Sequence, residues 1–206
     1  MLTIIDYDAG NTYNVQKAFD FLGVKTELTA DPEKILASHG LILPGVGAFA
    51  PAMQTLQARG LDSVIKQAVA KGTPLLGICL GGMQLLFESS SEYGQHAGLA
   101  LIPGKVIALP AKKGGFKIPQ MGGWNQHELR QSDSVFAYVA QEYTYFVHSF
   151  YAQCPNEYLV SQVEYSAPVP AIVRNKNVYG FQFHPEKSGQ VGIKLLRTFV
   201  EEVVEA

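Results

Sequence analysis

The run TPLLGIC (73–79), followed by LGGMQLLFES (80–89), decides the fold, because an apolar strand pattern passes there directly into a helical one. Strands that are buried on both faces are continuously apolar, as in parallel sheets covered by helices on each side. The run GLILPG (40–45) has the same character. Together the two runs predict a parallel sheet at the centre of an α/β fold.

The rest of the first half alternates between short strands and helices. A strand at LTIIDY (2–7), a helix over 11–23 and a strand at VKTEL (24–28) form one such unit. A helical stretch over 49–70, broken near Gly60, precedes the central strand. This order is typical of parallel strands joined by helices.

The second half is richer in strand patterns. Five further strands and a closing amphipathic helix are predicted at KVIAL (105–109), YTYFVHSFYA (143–152), YLVSQVEY (158–165), PAIVRN (170–175), VYGFQF (178–183) and 189–205. We therefore expect an α/β fold: a three-layer sandwich with a largely parallel central sheet and a mixed or antiparallel extension. Since no repeat, low-complexity tract or linker interrupts the sequence, residues 1–206 are expected to form a single domain.

Composition excludes several classes of protein. The chain has 206 residues, is 47% hydrophobic and carries a formal net charge of −2. Because charges of the two signs are mixed, it offers no footprint for a nucleic acid and no basic patch for a membrane. The first apolar run lacks a basic leader, and no apolar stretch approaches the roughly 20 residues that cross a bilayer. We expect a cytosolic protein that contacts neither nucleic acid nor membrane.

The cysteines and histidines narrow the chemistry further. Cys79 and Cys154 are too few for a disulfide framework and fit a reducing compartment. The five histidines are scattered singly, without the spacing of metal ligands. We expect no metal and no cofactor.

The cysteine at the end of the central strand is the first candidate for catalysis. It lies in Gly77-Ile78-Cys79-Leu80-Gly81, before a helical pattern. A nucleophile on a tight strand-to-helix turn needs small neighbours so that its side chain projects outward. The helix N-terminus stabilises negative charge on the sulfur and directs backbone N–H groups at a developing oxyanion. A buried structural cysteine is the alternative at this point.

A histidine and a glutamate come directly after the last predicted strand. In GFQFHPE (180–186), His184 and Glu186 are two residues apart, so in extended chain their side chains point to the same side. Pro185 favours that geometry for the residue before it. A carboxylate beside an imidazole sets its tautomer and stabilises the imidazolium formed when it takes a thiol proton. A plain turn is the alternative for this segment alone, but the pairing with Cys79 favours a triad.

The segment LPGVGAF (43–49) comes after the third predicted strand. Its two glycines allow a backbone to approach a ligand closely or a peptide to flip, which suits an oxyanion donor. A tight turn between strand and helix is the alternative. With the cysteine and the histidine at neighbouring strand ends, we favour the donor.

These motifs resemble the class I, triad-type glutamine amidotransferases, whose pattern is a G-x-C-x-G elbow and a distant H-x-E. More narrowly, five segments look like the glutaminase subunits of imidazole glycerol phosphate synthases: DYDAGN (6–11), LPGVGAF (43–49), GICLG (77–81), YFVHSFY (145–151) and GFQFHPEKSG (180–189). The likeness runs nearly end to end. It implies hydrolysis of glutamine to glutamate and ammonia, and delivery of the ammonia to a cyclase partner in a heterodimer. The cyclase makes imidazole glycerol phosphate and AICAR in histidine biosynthesis.

The resemblance also implies roles for individual residues. Cys79 looks like the nucleophile, His184 the general base and acid, and Glu186 its orienting carboxylate. Backbone amides of the oxyanion hole correspond to Leu80, Val46 and Gly47. Residues that hold the amino acid part of glutamine correspond to Gln84, Val147, His148 and Ser149, the last three chiefly through backbone. Residues that face the cyclase correspond to Gln120, Trp124, Asn125, Tyr145 and Lys187.

Two segments carry one more glycine than the family's usual pattern. The elbow reads CLGGMQ (79–84) where C-L-G-M-Q is usual, and QMGGWN (120–125) stands where H-M-G-W-N is usual. An added residue early in a helix rotates all later helical residues by about 100° unless a bulge absorbs it. The insertion at Gly82 therefore bears most directly on Gln84. Asp8 also stands where a glycine is usual.

Other functions compete with this interpretation. They are a class I glutaminase that serves another synthase, a non-catalytic binding subunit that retains the fold, and a cysteine peptidase or chaperone on a related fold. The DYDAGN and KSG matches argue against the first, and an intact triad argues against the second. Because the family couples its two reactions, we expect the isolated chain to be nearly inactive, with the 44–47 segment switching when a ligand-loaded cyclase binds.

Overall fold

The computed structural model describes residues 1–8, 10–45, 47–113, 116–117 and 121–206. Strands within these ranges are β1 (Leu2–Ile5), β2 (Thr26–Thr29), β3 (Gly40–Leu43), β4 (Leu75–Ile78), β5 (Phe87–Ser90), β6 (His96–Ala97), β7 (Ile102–Ala108), β8 (Lys112–Lys113), β9 (Phe116–Lys117), β10 (Met121–Leu129), β11 (Tyr143–His148), β12 (Phe150–Gln153), β13 (Leu159–Glu164), β14 (Pro168–Asn175) and β15 (Val178–Phe181). The α-helices are α1 (Thr12–Phe21), α2 (Pro32–Leu36), α3 (Phe49–Ala58), α4 (Leu61–Ala70), α5 (Cys79–Met83) and α6 (Gly189–Phe199).

A nine-stranded sheet in the order β11-β10-β13-β14-β15-β4-β3-β1-β2 forms the centre of the fold. The five strands from β15 to β2 run parallel to their neighbours, and those from β11 to β15 run antiparallel. The expected α/β sandwich with a parallel sheet and an antiparallel extension is confirmed. The two parts contribute about equally, so the extension is larger than the sequence suggested.

Alternate residues of the parallel strands face two separate cores, which is the period of two expected for strands buried on both faces. In β3, Ile42 packs with α1 and α6 on one face, whereas Leu41 and Leu43 pack with α3 and α4 on the other. In β4, Leu76 and Leu75 divide in the same way. These two cores produce the three layers.

A smaller sheet in the order β12-β7-β5-β6 packs within the second core. It corrects one expectation, because YTYFVHSFYA (143–152) is not a single strand. The strand is interrupted at Ser149, so that β11 lies at the edge of the large sheet and β12 pairs with β7 in the small one. Strand β10 was not expected from the sequence either, although its antiparallel pairing with β11 is continuous over six residue pairs.

The helix boundaries agree with local signals. α2 begins at Pro32 after Asp31, whose side chain accepts the N–H of Glu33 at 2.9 Å, as an N-cap does. Gly60 has a φ of 66° and separates α3 from α4, as expected from the sequence. The closing helix α6 continues through one turn of π-helix at Val200–Val204. None of the described helices is long and apolar enough to cross a membrane.

Candidate active site

The proposed catalytic segments meet at the carboxyl ends of three neighbouring parallel strands. β3, β4 and β15 lie side by side, with Leu43 opposite Gly77 and Ile78 opposite Phe181. Ligands bind at this edge of open α/β sheets because the loops that leave the strands gather there. The topology therefore brings the elbow, the glycine-rich segment and the His-Pro-Glu turn to one place.

Cys79 occupies the strained turn expected of a nucleophile elbow. Its φ is 63°, in the left-handed region that residues other than glycine rarely adopt. It is the first residue of α5 and is 4% exposed. A strained φ persists only where the surroundings enforce it, and here it places the thiol between β4 and the helix N-terminus.

Glycines make this turn feasible because α5 lies unusually close to the sheet. A Cβ added to Gly77 would sit 2.6 Å from the carbonyl oxygen of Gly82. A Cβ added to Gly82 would sit 2.1 Å from the carbonyl oxygen of Leu43. No side chain fits either position, since both contacts are with backbone. The additional glycine of the elbow is thus the residue that packs against the end of β3.

The three proposed triad side chains form one hydrogen-bonded chain. The sulfur of Cys79 lies 2.9 Å from Nε2 of His184, and Nδ1 of His184 lies 2.9 Å from Oε1 of Glu186. An ionised carboxylate only accepts hydrogen bonds, so Nδ1 carries a proton and Nε2 faces the thiol. The side chains of His184 and Glu186 are 6% and 3% exposed. This arrangement can transfer a proton between sulfur and imidazole out of contact with bulk water.

Electrostatics at the histidine favour its charged form. Burial alone would lower the pKa of His184, but the hydrogen bonds and charges of Cys79 and Glu186 outweigh it and raise the pKa to about 9. The second oxygen of Glu186 has no hydrogen-bond partner among the described residues. The carboxylate charge is therefore directed at the imidazole, and the site is suited to a thiolate–imidazolium pair.

A tyrosine just after β1 holds the glycine-rich segment in place. The Tyr7 hydroxyl donates to the carbonyl oxygen of Pro44 at 2.6 Å. Burial, together with the smaller effect of the Cys79 charge, raises the pKa of Tyr7, so the phenol stays protonated and remains a donor. No role for Tyr7 was expected from the sequence. The DYDAGN motif, which contains Tyr7, was the signal that could have pointed to it.

The predicted oxyanion donors lie just after the ends of β3 and β4. Leu80 lies in the first turn of α5, next to Cys79. Gly47 has a φ of 90° and lies two residues before α3 begins. Val46 lies outside the described residues. The oxyanion hole stays a prediction.

The residues predicted to hold glutamine lie around a buried polar cluster beside the triad. Nε2 of Gln84 donates to the carbonyl oxygen of Phe150 at 2.8 Å and to Oε1 of Gln182 at 3.0 Å. The side chain is fully buried, and its Oε1 has no partner within the described part of the chain. After five residues α5 gives way to a tighter 3₁₀ turn at Gln84–Leu86, so the chain adjusts at the position where the insertion was expected to act.

His148 shares an acceptor with that cluster. Its Nδ1 donates to the carbonyl oxygen of Phe150 at 2.7 Å. Burial lowers the pKa of His148 to about 4, against the opposing effect of that hydrogen bond. A neutral, buried ring of this kind is expected of a structural histidine and not of a group that transfers protons. The neighbouring Val147 and Ser149 are exposed, so their backbones are accessible, and their binding role stays a prediction.

The predicted interface residues gather on β10 and β11. Trp124 pairs with Tyr145 across the two strands, with ring centroids 6.2 Å apart, and is 54% exposed. Asn125 donates to the carbonyl oxygen of Gly123 at 3.2 Å. Lys187 is exposed on the turn that also carries His184 and Glu186. Gln120 lies outside the described residues. The contact with a partner stays a prediction.

The cleft at the thiol is narrow. Its void measures about 10 Å³, which is room for about one water molecule. Its walls are Asn11, Val15, Pro44, Gly45, Ile78, Cys79, His184 and Glu186. Over the described part of the chain, no three His, Cys, Asp or Glu side chains come together as metal ligands do. A substrate the size of glutamine requires the walls to part.

Comparison with solved structures supports the fold. A crystal structure of a glutamine amidotransferase superposes with a TM-score of 0.74 at 17% identity, covering 99% of each chain. PurLQS from Thermotoga maritima gives 0.73 at 18% identity, covering 98% of this chain and 97% of that one. At such low identity these likenesses establish architecture alone.

Sequence comparison establishes the family. The profile of the class-I glutamine amidotransferases matches residues 3–203. The imidazole glycerol phosphate synthase subunit HisH of Lactiplantibacillus plantarum is 57% identical over 203 residues, covering 98% of this chain and 96% of that protein. The HisH subunit of Streptococcus mutans is 54% identical over 201 residues, covering 98% of each. The chain therefore belongs to the class-I glutamine amidotransferase family, in its group of imidazole glycerol phosphate synthase HisH subunits.

Proposed function

We propose that this chain is the glutaminase subunit of an imidazole glycerol phosphate synthase and that Cys79, His184 and Glu186 are its catalytic triad. Glutamine is hydrolysed at its side-chain amide to glutamate and ammonia. The observation that carries the proposal is the buried chain of contacts from sulfur to imidazole to carboxylate, each 2.9 Å long. Family membership supplies the substrate and the pathway.

In the first half of the reaction, the thiolate of Cys79 attacks the amide carbon of glutamine. The oxygen that becomes negative is stabilised by the N–H of Leu80 and by amides of the 46–47 segment. The imidazolium of His184 then donates its Nε2 proton to the leaving nitrogen. The C–N bond breaks, ammonia departs and a glutamyl thioester remains on the sulfur.

In the second half, a water molecule attacks the thioester. Neutral His184 takes a proton from that water while Glu186 holds the ring by its Nδ1 proton. The C–S bond breaks, glutamate leaves and the thiolate–imidazolium pair is restored. No metal or cofactor takes part in this scheme.

A cyclase subunit receives the ammonia and uses it to make imidazole glycerol phosphate and AICAR in histidine biosynthesis. We propose a docking face on the exposed side of β10 and β11 that carries Trp124 and Tyr145. Asn125, Lys187 and Gln120, the last of which lies outside the described residues, are proposed as further contacts on the resemblance alone. Because the void at Cys79 holds about one water, the cleft must widen before glutamine enters, and we propose that binding of the ligand-loaded cyclase favours the widened state. Two free cysteines accord with a cytosolic setting.

The test is glutamate release from glutamine by the purified chain, alone and with a cyclase subunit and its nucleotide ligand. We expect release to require both, and to disappear in Cys79→Ala. Cys154→Ala is the matched control, since that thiol lies outside the site and should leave the rate unchanged.

Other outcomes identify the competing functions. A stable complex without glutamate release contradicts the proposal and favours a binding subunit. Ligand-independent release by the isolated chain at the full rate contradicts the coupling. Release stimulated only by a different synthase reassigns the pathway.

A further inference from the structure

Ser188 connects His184 to the edge strand β11 through a closed ring of hydrogen bonds. Its hydroxyl donates to the carbonyl oxygen of His184 at 2.6 Å and accepts the N–H of Tyr145 at 3.0 Å. The N–H of His184 donates to the carbonyl oxygen of Tyr145 at 2.9 Å. Ser188 is 1% exposed, so these bonds are shielded from water.

The position of Ser188 in the chain suggests a different role, which it does not perform. Ser188 is the N-cap of α6, where a serine hydroxyl normally accepts an N–H from the first helical turn. Its carbonyl oxygen does accept the N–H of Gly192, at 3.2 Å. Within the described residues, however, the side chain makes no capping bond. The hydroxyl is turned toward the histidine instead.

The same ring also provides hydrogen-bond partners for the edge strand β11. It is the last strand of the nine-stranded sheet, and the outer backbone groups of such a strand have no further strand to pair with. At Tyr145 both of these groups are hydrogen-bonded to the turn that carries His184 and Glu186. One face of β11 is exposed at Tyr143 and Val147, whereas Phe146 is fully buried. A surface strand is thus bonded directly to the backbone of His184.

We propose that Ser188 is a positioning residue of the triad, whose hydroxyl locks the backbone of His184 to β11 and holds the imidazole within reach of the thiol. Catalytic groups have to be held within about 0.5 Å of their productive places. His184 lies just beyond the end of β15, so the ring to β11 supplies the second point that fixes its backbone. The same bonds pass any displacement of the exposed strand to the imidazole. The inference rests on the proposed roles of Cys79 and His184.

The test compares Ser188→Ala with Ser134→Ala and Ser188→Thr. Ser134 is a matched control because it is also buried and also accepts a backbone N–H, that of Phe136 at 3.2 Å, outside the triad. The first readout is the rate of Cys79 alkylation by iodoacetamide in the isolated chain as a function of pH. The second is kcat and KM for glutamine in the complex, and thermal unfolding is recorded for each variant.

We expect Ser188→Ala to raise the pH midpoint of alkylation by about one unit, because a displaced imidazolium stabilises the thiolate less. Its kcat should fall by about 10- to 100-fold with little change in KM, as for other residues that orient a catalytic group. Ser188→Thr keeps the hydroxyl and should restore the midpoint, and Ser134→Ala should retain it.

Two results overturn the inference: a wild-type alkylation midpoint in Ser188→Ala, or an equal displacement of the midpoint in Ser134→Ala. A merely structural role lowers thermal stability without moving the midpoint. The alkylation readout needs neither glutamine nor cyclase. Failure of the proposed function, which appears as absent glutamate release in the wild type, is therefore distinguishable from failure of this inference.

Discussion

Replacing Glu186 by glutamine tests the electrostatics of the triad with the smallest change in shape. The carboxylate lies 2.9 Å from Nδ1 of His184, and its side chain is 3% exposed. Glutamine keeps the size and an accepting oxygen but removes the charge. The substitution therefore isolates the part of the interaction that favours the imidazolium.

The size of the effect comes from the pKa of His184, which stands at about 9 against an ordinary 6.5. The rise is 9 − 6.5, or about 2.5 units, and Cys79 and Glu186 produce it against the opposing effect of burial. Removing the carboxylate removes part of that rise, and each pKa unit lost is a tenfold change in the equilibrium between the ion pair and the neutral thiol and imidazole. For a loss on the order of one unit, the equilibrium constant for forming the thiolate–imidazolium pair from the neutral thiol and imidazole should fall roughly tenfold.

The assay is the rate of Cys79 alkylation at pH 7 in the isolated chain, which should fall by up to that factor. In the complex, kcat should fall further, by about 10²- to 10⁴-fold, because glutamine also permits the wrong tautomer of His184. Glu88→Gln is the control, since Glu88 accepts one backbone N–H at 2.9 Å outside the site. A wild-type alkylation rate in Glu186→Gln would refute the electrostatic reasoning.

Three shorter predictions concern other parts of the molecule. Burial raises the pKa of Cys154 to about 11, so peptide mapping after brief alkylation at pH 7 should find label on Cys79 and none on Cys154. Gly82→Ala would place a Cβ 2.1 Å from a strand carbonyl, whereas Gly122→Ala meets nothing within 4 Å, so urea unfolding should reveal a loss of roughly 2 kcal/mol or more only in the former. The folded-state pKa of His184 is raised to about 9, so its stabilising contribution is complete below pH 6.5 and is lost as the pH rises through 9. The difference in unfolding free energy between wild type and His184→Gln should therefore shrink between those pH values. A difference that grows would contradict the predicted direction of the pH dependence.

The parts predicted correctly from the sequence are those with local signals. Continuous apolar runs identified β3 and β4, because burial on both faces leaves no polar residue in the strand. The elbow around Cys79 and the spacing of His184 and Glu186 required only short-range geometry. The sheet order then brought these segments together, as the rule for open α/β sheets leads one to expect.

The parts that were missed depend on distant contacts. β5 and β6 are short and owe their existence to pairing within the small sheet, which leaves little trace in composition. The break at Ser149 lies inside an uninterrupted strand pattern, and only the tertiary fold separates β11 from β12. The ring at Ser188 joins positions 43 residues apart, and its hydroxyl resembles an ordinary helix cap in the sequence.

The proposed function depends on Cys79 as the nucleophile that attacks glutamine. It is tested most directly by treating the complex with a chloromethyl ketone analogue of glutamine and locating the adduct by peptide mass spectrometry. We expect one covalent adduct on Cys79, formed only with the ligand-loaded cyclase and prevented by excess glutamine. An adduct on Cys154 alone, or labelling of Cys79 that glutamine does not slow, would contradict it.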